Sequence, residues 1–380
     1  MKKICIVLFL ICMMISNCSY AKTDETIEEQ KETFGISDFI KESQKYKGDF
    51  LEDIDMSELM NNAIQGNVDN NVLIKKVIKL FGTEVRSSVK TLISILVIIV
   101  IHSVLKAISD SLENNNISEI IYYVQYILIV TVIMSNFNSI IQTVKETSQN
   151  LVAFMNMLVP ILITLMVYTG SITTSGILEP FILFMINFVG NMIQSILIPL
   201  MLIITVFSII SKISNKIQMD KISSFLKLSV IWFLGIILTV FVGVISLEGT
   251  LSSSVDGITA KTTKAAVSTM IPVVGKILGD AVDTVLGCGL VLKNAVGIVG
   301  VIVIIGICIV PIIKLGVITI AYNLSASIIQ PIADEKIVKL LSEMGGIFKV
   351  LLGILCSLSV MLIIGITLVI KISNSGMMYR

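Results

Sequence analysis

From Thr91 to the C-terminus, long apolar runs alternate with short polar interruptions. Ile93–Val100, Tyr126–Met134, Phe181–Val189 and Val301–Val310 carry almost no charge. Several runs exceed the roughly 20 apolar residues that a helix rising 1.5 Å per residue needs to cross a bilayer. The pattern predicts crossings at about 91–109, 119–141, 151–169, 177–194, 196–211, 228–247, 296–313, 314–330 and 347–370. Ile177–Ser211 is too long for one straight span, and Pro199 is the expected break; Pro311, with Lys314, divides Val296–Gln330 in the same way. The expected fold is all-α, a polytopic integral membrane protein with about seven to nine transmembrane helices and broken or re-entrant elements.

The first ninety residues read differently. Lys2 and Lys3, the apolar stretch Ile4–Ile15 and the small residues around Ser19-Tyr20-Ala21 predict a signal peptide over 1–21. Cys18 offers lipidation as the alternative to ordinary cleavage, although Asn17 before it is larger than the usual small residue. Residues 22–90 hold ten Lys or Arg against fourteen Asp or Glu and few apolar positions. They read as an extracytoplasmic N-terminal arm with two short amphipathic pieces. One is built on Leu51, Ile54, Leu59 and Met60, the other on Val72–Leu80 with its lysines at a lipid surface. The arm is too small for an independent catalytic domain. The transmembrane domain is expected over 91–370, and 371–380 form a cytoplasmic tail.

Composition strengthens this picture. A mean hydropathy of +0.94 with 14% charged residues does not supply the polar surface of a soluble 380-residue chain. Charge sets the orientation. Lys212, Lys216, Lys221 and Lys227 face only Asp220 within 212–227, which places that loop in the cytoplasm. Five crossings from an external N-terminus reach it, and nine leave Lys371 and Arg380 inside as well. Cys288, Cys308 and Cys356 lie in apolar stretches and read as small hydrophobes, without disulfide or metal spacing.

The prolines suggest an internal repeat. Pro160 and Pro199 are as far apart as Pro272 and Pro311, the second pair lying 112 residues after the first, and transporters built from inverted repeats use such broken helices. A competing register pairs Pro160/Pro180 with Pro311/Pro331. Pro160, Pro199, Pro272 and Pro311 are the candidate helix breaks.

No catalytic constellation is present, and no enzyme is expected. The chain has one histidine, His102, and lacks a Walker A sequence, HExxH or a Cys/His pair. Nucleotide hydrolysis and zinc chemistry therefore have no residues to run on. His102 reads either as a proton relay or as a neutral helix contact. Asn187, Asn191 and Gln194 at i, i+4 and i+7 place three amides on one helix face. Both a conduit lining and interhelical hydrogen bonding fit that pattern. Glu179 and Lys314 are the charges nearest membrane depth, lining a cavity or snorkelling to an end. The segment Lys261–Val299, with its amphipathic part at 261–296, has apolar Val267, Met270, Val274, Leu278 and Val285 opposite Lys264, Lys276, Asp280 and Asp283. It reads as a surface anchor or as a gate, with Lys293 and Asn294 at its end.

That region also carries a resemblance. Ser208-Ile209-Ile210-Ser211-Lys212-Ile213-Ser214-Asn215-Lys216, Val255-Asp256-Gly257-Ile258-Thr259 and Ile271-Pro272-Val273-Val274-Gly275 resemble the stage III sporulation protein AE family. Leu278–Gly287, Leu292–Gly300 and Pro331-Ile332-Ala333-Asp334-Glu335 continue the match, which is strongest over 205–340 and weak over 22–90. The resemblance implies a multi-pass protein of the mother-cell membrane around the forespore. It implies membership of a trans-envelope channel with the other stage III A proteins and the forespore stage II Q protein. That channel preserves the forespore and permits its late gene expression. Energy would come from a partner ATPase, with no cofactor and no nucleic acid. The family supplies no catalytic residues to carry over. The residues by themselves also leave open a stand-alone secondary transporter and a non-conducting membrane scaffold.

Overall fold

The computed structural model describes residues 35–46, 49–66, 115–213, 219–270 and 274–378, with scattered residues between 77 and 108. The side chains of Asp49 and of residues 115–119, 250–254, 257–285 and 373–378 lie outside that description. So do the expected signal peptide, His102, Pro272 and most of the segments 72–80 and 91–109.

Among the described residues two short helices come first, α1 (Ile36–Tyr46) and α2 (Met56–Gln65), with a 3-10 turn at Asp49–Leu51 between them. Long helices follow: α3 (Asn115–Tyr168), α4 (Ile172–Met192), a π turn (Ile193–Leu197), α5 (Ile198–Ile213), α6 (Asp220–Met270), α7 (Val274–Ile329) and α8 (Glu335–Met378). The π turn joins α4 to α5 in one rod. Among the described residues, five rods are long and apolar enough to cross a membrane: α3, α4–α5, α6, α7 and α8.

Segments expected as separate crossings thus run together. Residues 119–141 and 151–169 share α3, and 296–313 and 314–330 share α7. Pro160 and Pro311 sit inside these helices without ending them. A helical proline costs about 3 kcal/mol through one lost bond and a ring clash. Burial of Leu158, Val159, Leu162 and Ile163 around Pro160 offsets a loss of that size. Pro199 differs, because the π turn ends just before it. The chain answers the missing N–H by widening the helix for one turn.

α8 is the central rod, packed against α7, α6, α5 and α3. Its Leu340, Met344, Ile347, Leu351, Ile354, Leu358 and Leu362 are buried, and from 350 to 370 none of its residues is exposed. α6 turns Phe225, Leu228, Ile231, Trp232, Ile236 and Val240 outward, a face suited to lipid. Between α3 and α4 the chain reverses at Gly170, whose φ of 86° is a left-handed helix ending that glycine adopts without strain. There Ser171 N–H donates to Met166 C=O at 2.9 Å.

The N-terminal helices dock on this bundle. α1 and α2 pack on α7 and α3, and Tyr46 meets Phe154 edge-on with ring centroids 6.0 Å apart. Leu59 and Met60 lie on the buried face of α2, while Leu51 ends the 3-10 turn. Asp55 caps α2 by accepting the Ser57 N–H at 2.9 Å.

Candidate functional site

Along α3, Thr131, Ser135, Asn138, Gln142, Lys145 and Gln149 recur at alternating steps of four and three. That spacing sets them in one line nearly parallel to the helix axis. All six are exposed, whereas Ile133, Phe137, Ile140, Val144 and Leu151 on the opposite face are buried. The line is about 27 Å long at 1.5 Å per residue, close to the roughly 30 Å thickness of a bilayer's hydrocarbon. Glu146 lies beside it and accepts from Gln142 Nε2 at 2.7 Å.

The amide face expected on α4 meets this stripe. Asn187 and Asn156 exchange hydrogen bonds, Nδ2 to Oδ1, at 2.9 and 3.0 Å. Gln149 Nε2 donates to Gln194 Oε1 at 3.1 Å. Asn191 Oδ1 accepts from Ser195 Oγ at 3.0 Å on the same face. Gln194 and Ser195 belong to the π turn, so the widened turn falls at the level of the polar stripe. From α7, Lys314 Nζ donates to Thr143 Oγ1 at 3.4 Å. The structure therefore joins Asn187, Asn191 and Gln194 to a larger polar surface on α3. Two of the amides, Asn187 and Gln194, bond between helices, and the surface they belong to stays largely exposed.

Two polar clusters bracket the rods. At one end Lys212, 5% exposed, holds Asp220 at 2.6 Å and Glu343 at 3.8 Å, while Lys227 approaches Glu343 at 3.5 Å. Ser208 Oγ donates to Glu343 at 3.0 Å and lies 2.9 Å from Ser223 Oγ. Tyr122 and Tyr126 hydroxyls donate to the carbonyls of Lys212 and Ile209 at 2.9 and 2.5 Å. Both bonds tie α3 to the end of α5, and the Lys212 carbonyl is among those its last turn leaves without a helical partner. At the other end the buried Asp256 of α6 accepts the N–H groups of Thr173 and Thr174 at 2.9 and 3.0 Å and the Thr174 hydroxyl at 2.7 Å. A carboxylate there meets the orphan donors and the positive end of the α4 dipole.

These clusters set the level of the stripe. The rise from Thr174 to Lys212 is about 57 Å; Asn187 stands about 20 Å from the first and Ser195 about 26 Å from the second. The amides are thus near the middle of the rods. Hydrocarbon cannot solvate exposed amides, hydroxyls and charges, each of which loses several kcal/mol without a hydrogen-bonding partner. The face suits water, a hydrated solute or a polar protein surface.

Other sequence-selected residues lie elsewhere. Lys293 is fully buried on α7 with Asn294 half-buried beside it, about 31 Å along the helix from Lys314. Lys276, Asp280 and Asp283 are on the first turns of α7, and their side chains lie outside the described residues. The polar face of α3 was not among the expected site residues, because Gln142–Asn150 read as a link between two crossings. Its four-three spacing was the available signal. Asp256 lies in the Val255–Thr259 motif, but its role had no local signal, since its partners are more than eighty residues away.

Comparison with known proteins points one way. Residues 54–373 match the family described as Stage III sporulation protein AE. The chain is 28% identical over 367 residues to the Stage III sporulation protein AE of Bacillus subtilis (strain 168), covering 95% of this chain and 92% of that protein. No solved structure matches it. The Ser208–Lys216 and Val255–Thr259 motifs supply Lys212 and Asp256, the centres of the two end clusters.

Proposed function

The chain belongs to the stage III sporulation protein AE family, and on that premise we propose that it is a membrane subunit of the mother-cell-to-forespore channel made during endospore formation. Its place is the multi-pass base of that channel in the mother-cell membrane. The other stage III A proteins and, through the complex, the forespore stage II Q protein are its partners, and a partner ATPase supplies energy. In this reading the chain is not an enzyme; it holds open or gates a polar path.

The observation that carries the mechanism is the exposed stripe from Thr131 to Gln149 with Asn187, Asn191 and Gln194 beside it. Among the described residues the stripe is on the outside of a bundle whose central rod is α8, which supports a path completed by other subunits. That placement favours a subunit of a larger conduit over a stand-alone transporter, whose site lies between its own halves. The segment from 261 to 296, with Lys276, Asp280 and Asp283, is the proposed gate.

Late forespore gene expression in a deletion strain, scored together with engulfment by microscopy, tests the role. Engulfed forespores that stay silent or collapse are expected; normal forespores would refute it. The conduit assignment fails separately if Asp280→Ala, Asp283→Ala and the triple change of Asn187, Asn191 and Gln194 to Leu all sporulate normally.

A further inference from the structure

Lys145 and Glu146 are consecutive on α3, opposite in charge and both exposed. Their depth follows from the neighbouring rods. Residues 350–370 of α8 carry no charge and run between Lys349 and Lys371, about 30 Å, the thickness of a bilayer's hydrocarbon. On α6 the uncharged residues 228–247 run likewise between Lys227 and Glu248. Phe241 of α6 faces Gly365 of α8, so the two stretches share one level. α3 runs parallel to α8, since Lys336 lies over the Tyr122 ring and Phe348 meets Phe137. Lys145 therefore stands about 10 Å past the level of Lys349, roughly a third of the way into the hydrocarbon.

A lysine stem can snorkel part of that distance, but the shorter glutamate cannot. Among the described residues neither side chain is in a salt bridge. Gln142 donates to Glu146 at 2.7 Å without neutralising its charge. Ionised side chains at this depth pair with one another or face water. The two charges also flank the polar stripe. Counted around the helix from Lys145, Asn138 lies at about 20°, Gln149 at about 40°, Gln142 at about 60° and Glu146 at about 100°. The amides thus occupy an arc with a cation at one edge and an anion at the other.

That arrangement is complementary to itself. Copies inserted the same way round are related by rotation about the membrane normal, which keeps each residue at its own height. Lys145 and Glu146 differ in height by only about 1.5 Å. The Lys145 edge of one copy therefore meets the Glu146 edge of the next at matching depth, in a head-to-tail contact that can close into a ring. An unrelated helix would have to carry both signs at that one level.

We infer that copies of this chain associate head to tail through Lys145 and Glu146, with the amides of the stripe turned to the space they enclose. The inference rests on the stripe's serving a path completed by several chains, and it makes one of those chains a second copy.

The test co-expresses two differently tagged full-length chains and measures how much of one is recovered with the other after mild solubilisation. Wild-type chains should co-purify. Lys145→Glu with itself, and Glu146→Lys with itself, should each lose at least about tenfold of that recovery, because like charges then meet. Lys145→Glu expressed with Glu146→Lys should regain it, as should the Lys145→Glu/Glu146→Lys double variant with itself. That rescue separates pairing from misfolding. In membranes, with native cysteines replaced, Lys145→Cys on one chain should cross-link to Glu146→Cys on the other, and Phe225→Cys should not. Undiminished recovery of the single variants, no rescue, or no cross-link would overturn the inference. Late forespore gene expression is scored separately. If the chains stay apart while the triple amide-to-Leu change still silences the forespore, the ring fails and the conduit stands; if they associate and that change is harmless, the reverse holds.

Discussion

Ser171 occupies the N-cap of α4, yet its side chain makes no capping bond, and Asp256 reaches from α6 to do that work. Burial by itself raises the Asp256 carboxyl, but the hydroxyl and N–H of Thr174 and the N–H of Thr173 outweigh it and hold the group below the ordinary aspartate range. A carboxyl lowered in the folded chain stabilises above its unfolded value and loses that contribution as pH falls through its folded value. Asp256→Ala is therefore expected to cost about 1–2 kcal/mol, the worth of a strong N-cap. Thermal unfolding in detergent should show a steady gap between wild type and variant from pH 6 to 8, closing below about pH 4. A gap that stays constant into acid would mean that the carboxylate charge contributes nothing. Since Asp256 joins two rods, the loss should fall on the α4–α6 contact. A far-ultraviolet helix signal that survives while unfolding shifts would show this.

Between rods, glycine position separates tight seams from open faces. A Cβ on Gly190 of α4 would meet Val152 Cγ2 of α3 at 2.5 Å, whereas one on Gly235 of α6 meets nothing within 4 Å. Val152 is β-branched and fixed at χ1 within a helix, so it cannot swing aside. Gly190→Ala should destabilise by roughly 1–3 kcal/mol through overpacking. Gly235→Ala should stabilise by up to about 1 kcal/mol, because alanine is the better helix former. Unfolding temperatures that move in the same direction for both would contradict the close α3–α4 approach. The apolar runs made the long helices legible from sequence, since hydropathy reports which residues avoid water. Their continuity was not legible. Pro160 and Pro311 carry the same local signal as Pro199, and only neighbouring packing decides that two stay within regular helix while the third follows a π turn.

For the molecule as a whole, the position of polar groups matters more than their number. The sequence placed Asn187, Asn191 and Gln194 on one face, because helical periodicity is local. It missed the larger stripe on α3 because Gln142–Asn150 interrupts two apolar runs, and an interruption reads as a loop until the helix is known to continue. The assembled rods leave lipid-compatible Phe225, Trp232 and Ile236 exposed on α6 and the polar stripe exposed on α3. That asymmetry is measurable in membranes. With native cysteines replaced, single cysteines at Gln142, Gln149 and Asn191 should react with a membrane-impermeant, charged thiol reagent. Those at Phe225 and Trp232 should not, because thiols react as thiolates and ionise poorly in hydrocarbon. A rate difference of at least about tenfold is expected, equivalent to about 1.4 kcal/mol in the ease of forming the reactive thiolate. Reactivity along all three stripe positions would mean that water follows the bilayer-length face, as a conduit requires. If all three were as silent as Trp232, the face would be sealed against a partner, and the path through the complex would have to run elsewhere.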